Sequence, residues 1–244
     1  MEKLKLVFDR DLLSDGIRHY ISIDMEKNHH WILAGPTGSG KTSLLLLLMG
    51  KLSRIAPTGK VYILDFKGSD ELRFLKNIPF ARYYSHLDCT NGLKVINDEF
   101  EARLQGSQDR TPIFVCFDEY GPYINYLTVL DKKSAEAQRI ILSNLLFLSR
   151  TLNFFCILST QRPDSGLFQS GAREQCTGAI GLGALSLESR KMLFGEYDTD
   201  LIEPCGTGCG YLAMQGFSKI RPITVPNISK MDKLEKAIAA AVTR

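Results

Sequence analysis

An α/β fold, with a mainly parallel sheet and helices on both faces, follows from two observations. Short apolar runs at 31–34, 61–65, 113–117 and 154–159 alternate with longer segments of helical periodicity, the pattern of strands joined by crossover helices. The first of those runs, Trp31-Ile32-Leu33-Ala34, passes directly into Gly35-Pro36-Thr37-Gly38-Ser39-Gly40-Lys41-Thr42 and then a leucine-rich stretch at 44–49. A G-x-x-x-x-G-K-[ST] phosphate-binding loop therefore sits where a strand hands over to a helix, which is the context the motif requires.

The 244 residues, 44% hydrophobic and 23% charged, can bury one full core, and this composition excludes a disordered chain. A net charge of +3 without a dense Lys/Arg block permits a nucleic-acid partner but does not demand one. Of the six scattered cysteines, Cys116 and Cys156 lie inside apolar runs, and no secretory leader is visible, so reduced thiols in a cytoplasmic protein are expected. Cys205 and Cys209 lack a second Cys/His pair at zinc spacing, which argues against a metal site there. No apolar run approaches the roughly 20 residues that span a bilayer. The expectation is a soluble protein, or one recruited to a membrane by a partner.

Along the chain, 4–8 alternates as a strand, and 9–28 is polar, with a turn or edge strand at 22–28. Residues 1–20 read as a lead-in strand and loop. His29 and His30 read as a polar strand entrance rather than metal ligands. In the phosphate-binding loop, glycines let backbone N–H groups turn inward around phosphate oxygens, and the following helix adds its partial positive charge. Lys41 would reach the β and γ phosphates of a nucleoside triphosphate, and the Thr42 hydroxyl would go to Mg²⁺. That helix should fade near Arg54, before Pro57.

The strand at 61–65 ends in Phe66-Lys67-Gly68-Ser69-Asp70. Polar residues gathered past a strand's C-terminal end are how α/β sheets build sites, which places Lys67 and Asp70 on the nucleotide side. A solvated loop followed by a Ser69-capped helix fits the same residues. A helix at 71–77, a short strand at 80–84 and a helix at 93–104 continue the alternation. The run 113–117 then ends in Asp118-Glu119, a Walker B pattern, in which the Asp118 carboxylate would hold Mg²⁺ and Glu119 would act as general base on the attacking water.

Residues 120–131 read as aromatic and irregular, and 134–150 as an amphipathic helix ended by Arg150. The strand at 154–159 closes in Thr160-Gln161-Arg162-Pro163, which puts Gln161 where it could sense the γ-phosphate or orient water. After a long loop to about 175 come a strand at 179–182, a helix at 187–194 and a glycine turn at 206–210 running into a strand. That turn lacks the lysine and following helix of a second phosphate loop and reads as a hairpin approach. Residues 220–225 pair with the strand before them. The helix at 230–242 either docks on the sheet or reaches for a neighbouring subunit.

Taken in order, the phosphate loop, Leu64-Asp65-Phe66-Lys67-Gly68, Asp118-Glu119 and Ser159-Thr160-Gln161-Arg162-Pro163 resemble the FtsK/SpoIIIE family of DNA-translocating ATPases within the wider HerA–FtsK group. The resemblance spans about residues 20–226. It implies a RecA-like P-loop NTPase motor domain at 21–226, followed by a C-terminal helix at 227–244, that hydrolyses ATP with Mg²⁺ as a hexameric ring around DNA. It also implies that Arg150, eleven residues before Gln161, is an arginine finger acting on the adjacent subunit. Phe66 replaces the family's proline, and neither a membrane-anchoring region nor a winged-helix module is visible. A motor of a plasmid, conjugative element or virus is therefore expected, with a membrane channel, relaxase or capsid as partner. Protein export of the type VII secretion kind and a nucleotide-dependent assembly switch are the alternatives.

Overall fold

The computed structural model describes residues 2–244, and these build one ten-stranded sheet in the order β2-β1-β10-β9-β8-β3-β7-β6-β4-β5. Its parallel part holds β3 (Trp31–Ala34), β4 (Lys60–Asp65), β5 (Tyr83–Ser85), β6 (Ile113–Asp118), β7 (Phe154–Thr160) and β8 (Gly178–Leu182). Beyond β8 the sheet continues antiparallel through β9 (Cys209–Met214), β10 (Arg221–Thr224), β1 (Leu4–Asp9) and β2 (Tyr20–Ile23). The central strands β3, β6 and β7 are buried at every position, as a sheet covered on both faces requires.

Two apolar layers enclose the sheet. On one face α2 (Lys41–Ile55) and α7 (Met231–Thr243) pack over β1, β3 and β4, joining Leu44, Leu48, Leu52, Ile238 and Val242 to Leu33, Ile63 and Phe155. This double cover explains the unbroken run Leu44–Leu48, all of it buried: α2 meets the sheet on one side and α7 on the other. On the opposite face lie α3 (Cys89–Leu104), α4 (Tyr120–Leu130) and α5 (Lys132–Leu148), which contribute Ile96, Phe100, Tyr123, Leu142 and Leu146. Two short helices, α1 (Arg10–Ser14) and α6 (Leu187–Phe194), cover the antiparallel extension and β8. The C-terminal helix is docked, since the Arg82 amide donates to the Val242 carbonyl at 2.8 Å. Among the described residues no helix is long and apolar enough to cross a membrane.

Four local expectations are corrected. Residues 120–130 are helical, because Tyr120, Tyr123, Ile124 and Leu127 form one buried face whose packing overrides the weak helix propensity of Gly121, Tyr126 and Thr128. The next helix starts earlier than read, since the Asp131 carboxylate accepts from the Lys133 amide at 3.0 Å and caps it. It also ends at Leu148, and Arg150 instead opens a separate 3-10 turn, Arg150–Leu152. Residues 70–75 form a 3-10 turn rather than a longer α-helix, and Ser69 makes no cap bond to it.

Candidate active site

The site lies at the C-terminal ends of β3, β4, β6 and β7, a cleft of about 510 Å³ lined by Gly38, Lys41, Thr42, Lys67, Ser69 and Glu119 among others. Gly40 enters α2 at φ +96°, in the left-handed region that favours glycine, and a Cβ there would come within 3.3 Å of the Gly208 amide. No side chain caps α2, so its first amides stay free at the cleft.

Lys41 is 6% exposed, and its ammonium donates to the Gly35 and Pro36 carbonyls at 2.7 and 3.2 Å while lying 3.9 Å from Glu119 Oε1. Burial pulls its pKa below the usual lysine range, against the upward pull of the Glu119 and Asp118 carboxylates. The Glu119 carboxyl is pushed above its usual range, first by burial and then by Asp118, against the opposing charge of Lys41. Neither charge is at ease in this cleft, where an anion beside Lys41 and a cation beside the acids would relieve both.

Glu119 follows β6 with a left-handed backbone, φ 60° and ψ 46°, a costly conformation for a non-glycine residue. It begins α4 there, its carbonyl accepting from the Tyr123 amide, and its carboxylate meets Gln161 Nε2 at 3.5 Å. Thr42 Oγ1 donates to Asp118 Oδ2 at 3.4 Å. Asp118 Oδ1 and Glu119 Oε2 are buried without a hydrogen-bond partner among the described residues. A hydroxyl, a carboxylate and an unpaired carboxylate oxygen form an all-oxygen donor set of the kind Mg²⁺ takes, so Thr42 and Asp118 fit that ion.

Lys41, Thr42, Asp118, Glu119 and Gln161, picked out from sequence, thus converge. Arg150 does not join them. It is exposed, before the N-terminal end of β7, whereas Gln161 follows the C-terminal end, and its charge adds to burial, the larger cause, in lowering the pKa of His29 and His30 just before β3. Those histidines are buried. His30 Nδ1 accepts from the Cys156 amide at 3.1 Å, and the His29 ring stacks on Phe155 at 4.5 Å.

Two participants escaped the sequence reading. Thr207 lines the cleft: its hydroxyl donates to the Gly38 carbonyl at 3.0 Å, and the Gly208 amide donates to the Ser39 carbonyl at 2.9 Å, so the glycine turn braces the phosphate loop from outside. Its only sequence signal was the run Gly206-Thr207-Gly208, which suits a hairpin equally well. Ser69 is the other: rather than capping a helix, its hydroxyl lies 3.3 Å from Asp118 Oδ2. Lys67 and Asp70 line the cleft as well, as the site-building reading of that turn expected.

Comparison with known proteins agrees with this arrangement. The FtsK/SpoIIIE family matches residues 5–90, from β1 through the phosphate loop to the start of α3. The FtsK domain-containing protein YdcQ of Bacillus subtilis (strain 168) is 28% identical over 232 residues, which are 86% of this chain and 46% of YdcQ. The chain thus spans about half the length of that relative. Among solved structures, the pCW3 conjugation coupling protein TcpA, determined with ATPγS, superposes with a TM-score of 0.70 at 20% identity, over 89% of this chain and 67% of TcpA. The cytoplasmic domain of the type VII secretion ATPase EccC of Thermomonospora curvata gives 0.68 at 18% identity, over 97% of this chain and 31% of that one. The chain thus shares the fold of RecA-like P-loop ATPases, and over residues 5–90 it is similar to the FtsK/SpoIIIE family.

Proposed function

We propose that this chain hydrolyses ATP and couples the cycle to DNA movement as a ring of subunits, a hexamer by analogy with the family it resembles, in the service of a plasmid, conjugative element or virus. The observation that carries the proposal is the convergence of Lys41, Thr42, Asp118, Glu119 and Gln161 on one cleft at the strand ends. Lys41 leaves its two loop carbonyls for the β and γ phosphates, while the free amides of α2 cradle the others. Thr42 and Asp118 would hold Mg²⁺, which would supply charge neutralisation for the phosphates. Glu119 takes the proton of the attacking water, a role that its raised pKa suits. Gln161, beside it, orients that water.

Arg150 completes the site of the next subunit. β7 has seven residues, so at about 3.3 Å per residue roughly 20 Å separates the two ends of that strand. An arginine side chain cannot cover that span, and Arg150 therefore serves a neighbour or no phosphate at all. Residues 21–226 form the motor unit, 1–20 its lead-in and 227–244 a docked helix, and the chain works on the cytoplasmic side, recruited to a channel, relaxase or capsid.

The family and the conjugation role of TcpA support DNA as the substrate. The likeness to EccC supports protein export as the second reading. Binding to DNA of unrelated sequences tests the choice. Phosphate-backbone gripping predicts affinity that is sequence-tolerant and falls steeply between low and physiological salt. Absent or salt-insensitive binding would favour export.

A further inference from the structure

The turn after β4 carries a hydroxyl that faces two acids, and only one of them needs it. Asp65 is completely buried, and its carboxylate accepts from the Gly68 amide at 2.8 Å, the Ser69 amide at 2.9 Å and the Tyr83 hydroxyl at 2.9 Å. Three donors satisfy it. Asp118 is 1% exposed and, among the described residues, has only two side-chain donors, the hydroxyls of Thr42 at 3.4 Å and Ser69 at 3.3 Å, both on Oδ2, while Oδ1 has none. Ser69 Oγ also lies 3.5 Å from Asp65 Oδ1, but a serine hydroxyl carries one proton and can give it to one carboxylate at a time. The unsatisfied acid is the stronger claimant.

From this arrangement we infer that Ser69 is a positioning residue for the metal site: it donates to Asp118 Oδ2, and so fixes the carboxylate with Oδ1 turned to receive the cation. Asp65 anchors Ser69 in turn. By holding the Gly68 and Ser69 amides it sets the whole 66–69 turn, and through Tyr83 it ties that turn to β5. The same turn delivers Lys67 and Ser69 to the cleft wall. The inference rests on the proposed Mg²⁺-ATP site and adds to it a hydroxyl from the turn after β4, where the motifs supply only Thr42. Outer groups that orient a metal ligand matter for affinity, and losing one commonly costs 10–100-fold in metal binding.

The test measures binding, without turnover. ATPγS affinity is measured with and without Mn²⁺ as a spectroscopic stand-in for Mg²⁺, and free Mn²⁺ is followed by electron paramagnetic resonance for wild type, Ser69→Ala and Ser69→Thr. Ser69→Ala should need about tenfold more cation to saturate while keeping wild-type affinity for metal-free ATPγS. Ser69→Thr, which restores the donor, should return close to wild type. An unchanged cation requirement in Ser69→Ala would overturn the assignment. So would a loss of metal-free ATPγS binding in that variant equal to its loss with metal, since Ser69 would then merely support the pocket. Wild-type protein that bound no ATPγS under either condition would overturn the nucleotide site itself together with this inference, and that failure is distinct from the other two.

Discussion

Removing the Arg150 guanidinium gives a prediction whose size follows from where the structure puts it. Arg150 is exposed and separated from its own cleft by the length of β7, roughly 20 Å, so Arg150→Ala should leave Lys41, Thr42 and Glu119 undisturbed and ATP affinity at its wild-type value. If the residue instead reaches the γ-phosphate bound by an adjacent subunit, its loss should lower the turnover of the assembled ring by about 10³ to 10⁵, or roughly 4–7 kcal/mol of barrier. The assay is steady-state phosphate release across a range of protein concentrations, with the assembly state followed by light scattering. Mixing Arg150→Ala with Lys41→Ala adds a second readout, because a Lys41→Ala subunit can lend its intact arginine to a neighbour whose phosphate loop is intact. Partial recovery of turnover is expected. An Arg150→Ala protein that assembles and hydrolyses ATP at the wild-type rate would refute the reasoning and leave Arg150 as a surface residue of a 3-10 turn.

Three further outcomes are expected. Glu119→Gln should keep nucleotide affinity, because Lys41, Thr42 and Asp118 are untouched, but lose turnover by 10²-fold or more; a variant with proportionate loss of both would make Glu119 structural. Gly208→Ala meets open space but holds φ +75°, so the left-handed backbone alone should cost about 1–2 kcal/mol and lower Tm by several degrees in thermal unfolding followed by circular dichroism; an unchanged Tm would mean that the turn relaxes freely. The third concerns His30, which burial holds at a pKa of about 3 against an ordinary 6.5, so the folded chain keeps the ring neutral while the unfolded chain protonates it. Its share of stability is complete above pH 6.5 and is lost as pH falls from 6.5 towards 3, with a slope of up to about 1.4 kcal/mol per pH unit. In urea unfolding between pH 7.5 and 5, His30→Gln should show a shallower decline than wild type; parallel declines would contradict the burial argument.

The sequence carried most of the parallel sheet, because strands covered on both faces must be apolar throughout and the motifs sit at their ends. What stayed hidden depended on tertiary contact. Residues 120–130 have poor helix formers and became helical through one packed face, which no local propensity reports. The capping bond of Asp131 and the 3-10 turn at Arg150 moved the bounds of α5 by two residues at each end. In the site, Lys41, Thr42, Asp118 and Glu119 were legible from motif spacing, since each belongs to a single strand-to-helix junction. Thr207 and Ser69 were not. Thr207 reaches Gly38 across 169 positions of chain and Ser69 reaches Asp118 across 49, and a sequence without a spacing rule for such pairs gives no sign that they meet.

The most direct test of the account is phosphate release from ATP and Mg²⁺ by the purified chain, measured beside Lys41→Ala with and without double-stranded DNA. Wild type should turn over and accelerate with DNA, while Lys41→Ala should be inactive in both conditions, because Lys67, the other lysine lining the cleft among the described residues, is exposed on the turn after β4 and does not replace a buried ammonium inside the phosphate loop. Equal turnover by wild type and Lys41→Ala would contradict the assignment of this cleft as the site of hydrolysis.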